Sequence, residues 1–147
     1  MPVLDELYQE LIIDHGRNPR NFGKLKNATH IKEGYNPLCG DKITIYISEK
    51  QGVIDDISFD GEGCAISMAS ASLMTEALKG KPVKYVDQLF ADFQHCVMGQ
   101  TCETKALGKL AALAGVRKFP MRVKCATLPW HTVRAILKDE KGSASSE

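Results

Sequence analysis

Cys39, Asp41, Cys64 and Cys125 are the side chains of this sequence whose types and placement suit chemistry. Cys39-x-Asp41 sets a thiol and a carboxylate two residues apart, and in extended backbone such a pair shares one face. Cys64 lies in Gly61-Glu62-Gly63-Cys64-Ala65-Ile66-Ser67, where two glycines end a strand-like run and a small-residue helix pattern begins. The thiol is therefore expected on a tight turn at a helix N-terminus. Unpaired N–H groups at that end favour the thiolate, the form that binds metal or attacks sulfur. Three thiolates and one carboxylate make a tetrahedral set for zinc, at roughly 2.0–2.3 Å per bond. Soft thiolates suit an iron–sulfur cluster as well, and ligand type alone does not separate the two. Against both stands a plainer reading, with scattered cysteines as small buried hydrophobes and Asp41 as a turn carboxylate.

The elements that would position these groups follow from periodicity. Lys42–Ser48 and Val53–Phe59 are β-branched and aromatic, and Lys50-Gln51-Gly52 joins them as a hairpin turn. Cys39 enters the first of these strands and Cys64 leaves the second, so antiparallel pairing brings both to one end of a sheet. Residues 28–33 read as a short edge strand. Val3–Asp14 repeats apolar residues at helical spacing (Leu4, Leu7, Tyr8, Leu11, Ile12), and Gly16 with Pro19 predicts a loop over residues 15–21. That loop carries Arg17 and Arg20, as a solvated turn or a partner-docking one. Ala65–Lys79 predicts a helix whose serines Ser67, Ser70 and Ser72 allow close packing. Val83–Met98 predicts another, with Val86, Leu89, Phe90 and Phe93 on its apolar face, and Leu107–Ala114 a third. Pro120 is expected to open a short helical turn and Pro129 the last helix, to Leu137, with Cys125 at the junction.

With 19 basic and 18 acidic residues the net charge is +1, which leaves no electrostatic footprint for nucleic acid or a membrane surface. No apolar run approaches the ~20 residues of a membrane span, and the first residues lack a secretion signal, so a cytoplasmic location is expected. In that setting an odd number of cysteines, five, favours metal or thiol chemistry over a disulfide framework. One domain is expected over residues 1–137, with residues 138–147 a disordered polar tail.

Three stretches together, Asn36-Pro37-Leu38-Cys39-Gly40-Asp41, Gly61–Ser67 and Arg122-Val123-Lys124-Cys125-Ala126-Thr127-Leu128, resemble the cysteine motifs of the IscU/NifU N-terminal domain family of iron–sulfur assembly proteins. Lys124 stands where classical members carry histidine, and residues 83–115 look like an inserted segment. Both features resemble the SufU branch. The resemblance implies an α+β fold, a small antiparallel three-stranded sheet with helices packed on it, of the SufE/IscU kind. It implies zinc (Zn2+) on Cys39, Asp41, Cys64 and Cys125, a SufS-type cysteine desulfurase as partner, and downstream iron–sulfur assembly components. On this reading Cys39 is the sulfur acceptor, Lys124 offsets the anionic charge of the ligands, and Arg122 orders the rim.

Two alternatives remain open on the same residues: a scaffold that assembles a [2Fe–2S] cluster and passes it on, and a structural zinc module that binds a protein. Cys96 and Cys102 flank a turn and match no motif, so they are expected to be non-functional thiols. His30, His95 and His131 are expected at the surface or in caps, His15 as structural or partner-facing, and Trp130 in the core.

Overall fold

The computed structural model describes residues 2–37, 40–100, 102, 104–138 and 144–145, with side chains from residue 9 onward in the first helix. Isoleucines at alternate positions in the central strand decide the architecture, because a period of two can bury only one face of a sheet. In β2 (Asp41–Lys50) these are Ile43, Ile45 and Ile47, all fully buried. β2 pairs antiparallel with β3 (Val53–Glu62) on one side and with β1 (His30–Asn36) on the other. Gln51 and Gly52 join β2 to β3 with φ of 53° and 76°, the left-handed pair that a two-residue hairpin turn needs. The three-stranded antiparallel sheet with helices on it is the architecture expected from the sequence.

Two features depart from the expected strands. β1 runs on to Asn36 because residues 34–36 pair with residues 41–43, beyond the stretch whose composition suggests a strand. From the polar tail, Ala144 and Ser145 form a short β4 that pairs in parallel with Gly34 and Tyr35. The rest of residues 139–147 lies outside the described residues.

Helix α1 (Pro2–Arg17) continues past Gly16 instead of closing there. A Cβ at Gly16 would stand 3.2 Å from the Ala65 carbonyl, so this glycine serves the approach of α1 to α2 (Ala65–Leu78) and not a stop. The following turn is held by an ion pair between Arg20 and Asp14, 2.6 Å apart. In α2, Ser67, Ser70 and Ser72 are fully buried, and Ser70 Oγ donates to the Ala126 carbonyl at 2.5 Å. Small side chains here let three elements meet closely, as their pattern predicts.

Helix α3 (Tyr85–Val97) buries Val86, Leu89, Phe90 and Phe93. The expected helix at Leu107–Ala114 is instead a single turn, α4 (Thr104–Leu107), followed by a 3₁₀ run over Gly108–Lys118. Gly108 has a φ of 54°, a left-handed residue that a continuous right-handed helix cannot contain. The last helix is one unit, α5 (Pro120–Leu137), with Pro129 inside it. Cys125 therefore sits mid-helix and not at a junction. Trp130, fully buried, is stacked by Phe93 and Phe90 at centroid distances of 4.9 and 5.9 Å, and this contact fastens α3 to α5.

His15 is 1% exposed and is a structural residue. Ser72 Oγ accepts the Arg20 N–H at 2.8 Å and shares a hydrogen bond with His15 Nδ1, 2.7 Å away. On the other side of the ring, His15 Nε2 lies 3.7 Å from a Glu76 carboxylate oxygen. Burial, reinforced by Arg20, pushes the His15 pKa below its ordinary value, and burial with Arg134 nearby does the same for His131. A histidine held neutral contributes stability that is complete above its unfolded pKa near 6.5 and is lost as pH falls through the lower folded value. Urea midpoints are therefore expected to drop between pH 7.5 and 5, with His15 contributing at most about 1.4 kcal/mol per pH unit. His15→Gln should flatten that dependence; an unchanged profile in the variant would rule His15 out as its source.

Candidate metal centre

The register of the sheet sets up the site. Asn36 pairs with Asp41 and Lys42 with Glu62, so the end of β1, the start of β2 and the end of β3 lie together. Asp41 opens β2 and is 1% exposed. Two residues past β3, Cys64 takes the N-cap position of α2 in extended conformation, half-buried. Its backbone N–H donates to Asp41 Oδ1 at 2.8 Å, and its thiol lies 3.9 Å from both Asp41 Oδ2 and Ser67 Oγ. The Asp41 carboxylate thus acts as the cap that the cysteine side chain does not provide. Gly63 makes room for this arrangement, since a Cβ there would meet Ser67 Oγ and come 3.0 Å from Asp41 Oδ1.

Helix α5 delivers Cys125, fully buried, to the same point. The Asn36 amide donates toward its sulfur at 4.0 Å, and the thiol lies 3.6 Å from the Met121 carbonyl. One ligand atom from each of Asp41, Cys64 and Cys125 falls within 4.8 Å of the others. Two thiols and a carboxylate, each buried or half-buried and converging from three elements, fit a tetrahedral metal with one position left for a further ligand. Cys39 lies outside the described residues.

Arg122, one turn before Cys125, reaches over the cluster. The charge of Cys64, then hydrogen bonding and charge at Cys125, hold its guanidinium above the ordinary arginine range. Arg122 is therefore a cation drawn to the sulfurs. Lys124, expected to offset the ligand charge, is half-buried and gives its carbonyl to Thr127 Oγ1 at 3.4 Å. Sequence reasoning missed Asn36 and Ser67 as thiol neighbours, because only strand register and the first turn of α2 aim them at the sulfurs. It also missed the disulfide between Cys96 and Cys102, which replaces the two independent thiols expected there.

Residues 7–126 match the family described as the NifU-like N terminal domain. The chain belongs to that family. Among its NifU-like relatives, the zinc-dependent sulfurtransferase SufU of Bacillus subtilis is 42% identical over 142 residues, covering 95% of this chain and 96% of that one. The iron–sulfur cluster assembly scaffold protein IscU of Thermotoga maritima is 38% identical over 136 residues, with 92% and 96% covered. A crystal structure from Fervidobacterium islandicum, described as an iron–sulfur cluster assembly scaffold protein for the SUF system, superposes with a TM-score of 0.84. It is 35% identical and covers 90% of this chain and 97% of its own. Among the described residues, no helix of this NifU-like domain is long and apolar enough to cross a membrane.

Proposed function

We propose that this chain is an iron–sulfur cluster assembly protein of the cytoplasm that takes sulfur from a SufS-type cysteine desulfurase and hands it to downstream assembly components. The observation that carries the reading is the convergence of Asp41, Cys64 and Cys125 within 4.8 Å under Arg122. The zinc-dependent sulfurtransferase among the relatives supports Zn2+ on these three residues and Cys39. Zinc bound there would supply the positive charge that keeps its thiol ligands ionised at neutral pH.

The chain's own groups do the rest. Cys125, buried among Asn36, Arg122 and α5, is a fixed anchor. Asp41 offers Oδ2 while Oδ1 stays tied to the Cys64 N–H. A hard carboxylate beside soft thiolates suits a site that exchanges a ligand. Released from the site on docking, Cys39 as thiolate attacks the outer sulfur of the desulfurase persulfide; the S–S bond breaks and the desulfurase thiolate leaves. Arg122 offsets the negative charge that remains on the other ligands.

A second reading, with a [2Fe–2S] cluster as cargo on the same residues, is favoured by the relatives named as scaffolds. One experiment separates the two. Native mass spectrometry of anaerobically purified protein is expected to give a single zinc per chain, followed by the mass of added sulfur after treatment with desulfurase and cysteine. Cys39→Ala is expected to take up none. A mass matching two irons and two sulfides would put the scaffold reading first. Zinc without sulfur uptake would leave a structural zinc module, and full uptake by Cys39→Ala would remove Cys39 as acceptor.

A further inference from the structure

Cys96 and Cys102 lie outside the cluster and are joined as a disulfide, with Cα atoms 4.3 Å apart. Cys96 is 1% exposed in the last turn of α3, whereas Cys102 beyond that helix is half-buried. The turn between them begins at Gly99 in the left-handed region (φ 84°), where its N–H bonds the Cys96 carbonyl at 3.3 Å and that of Gln100 bonds the His95 carbonyl at 2.8 Å. These two bonds turn the chain back at the end of α3. The proposed function needs Cys64 and Cys125, both free in the structure, to stay unoxidised, and where thiols stay reduced disulfides are typically transient and chemically active.

Sulfur held as a persulfide is two electrons short of sulfide, and a dithiol that closes to a disulfide releases two electrons. We infer that Cys96 and Cys102 are a dithiol–disulfide pair that reduces the outer sulfur of a persulfide to sulfide, with Cys102 attacking and Cys96 resolving. This rests on the sulfur-transfer reading only for the source of the persulfide. Cys102 is the accessible thiol, while Cys96 sits at a helix C-terminus, whose partial negative charge disfavours its thiolate. The Cys102 thiolate attacks the outer sulfur of R–S–SH; the S–S bond breaks, R–S⁻ leaves, and Cys102–S–SH forms. Cys96, deprotonated, attacks Cys102 Sγ, HS⁻ leaves, and the disulfide closes. Both thiols are oxidised by the sulfur they reduce, and an added dithiol reductant resets the pair.

The test is a single turnover. Full-length protein, reduced and freed of reductant, is mixed with glutathione persulfide while released sulfide and the mass of the peptide spanning Cys96 and Cys102 are followed. A stoichiometric burst of sulfide is expected, together with loss of two hydrogens from that peptide. Cys102→Ser should abolish the burst. Cys96→Ser, or Cys96→Ala if serine in that buried position unfolds the chain, should instead trap a persulfide on Cys102. A wild-type chain with no burst, or variants with an undiminished one, would overturn the inference. In parallel, the desulfurase and cysteine replace the small persulfide. Loss of sulfur uptake in that arm alone counts against the relay reading and leaves the pair's chemistry standing.

Discussion

Cys125→Ser is expected to strip the protein of its metal while leaving its helices formed. Cys125 brings its sulfur from the middle of α5, fully buried, to Asp41 and Cys64. A serine hydroxyl does not ionise at neutral pH and is a poor ligand for a soft site. The loss should therefore exceed the roughly 10–100-fold weakening that follows removal of an outer-shell partner. Asn36, which donates toward the sulfur and is not itself a ligand type, supplies the comparison: Asn36→Ala should fall within that 10–100-fold range. Zinc competition with a chromophoric chelator measures both. Equal affinities for wild type and Cys125→Ser would take Cys125 out of the ligand set.

Trp130→Ala is expected to cost about 3–5 kcal/mol of folding stability, the range for deleting a large aromatic side chain from a core. Its ring lies between α3 and α5 against Phe90 and Phe93, so truncation opens a cavity where those two helices meet. Its buried Nε1 makes no hydrogen bond among the described residues. Trp130→Phe removes that donor along with some apolar area, and relief of an unmet buried polar group, about 1–3 kcal/mol, offsets much of the loss. Urea unfolding should thus order the proteins as wild type and Trp130→Phe close together, with Trp130→Ala far below. An alanine variant within about 1 kcal/mol of wild type would mean that the contact is not a fastening.

The hairpin and the N-terminus of α2 were legible because local chemistry specifies them. Gly52 demands a turn, and Gly61 with Gly63 marks the passage from strand to helix. Cys39 and Cys64 could be assigned to one end of the sheet for that reason, and Asp41, two residues after Cys39, does lie there beside Cys64. Cys125 was legible as a candidate that joins Asp41 and Cys64 but not as a mid-helix residue. Pro129 is a local stop signal, yet the helix continues through it because Leu128, Trp130 and Val133 are all fully buried and tertiary packing outweighs the proline. Arg122 was read as ordering the rim, and its hold on the two sulfurs was not legible because only the rotation of α5 aims its side chain at them. The Cys96–Cys102 bond escaped notice because the chain turns back at the end of α3 through backbone bonds at Gly99 and Gln100 that no spacing rule announces.

The cluster's ligand atoms come from the start of β2, the N-cap of α2 and the middle of α5, stretches far apart along the chain. An ion on them is a removable cross-link that closes long loops only in the folded protein. Apparent melting behaviour is then a function of free metal, gaining about 1.4 kcal/mol for each tenfold rise above the dissociation constant. With Cys125 on the ion, metal loss would also untie α5 from the end of the sheet.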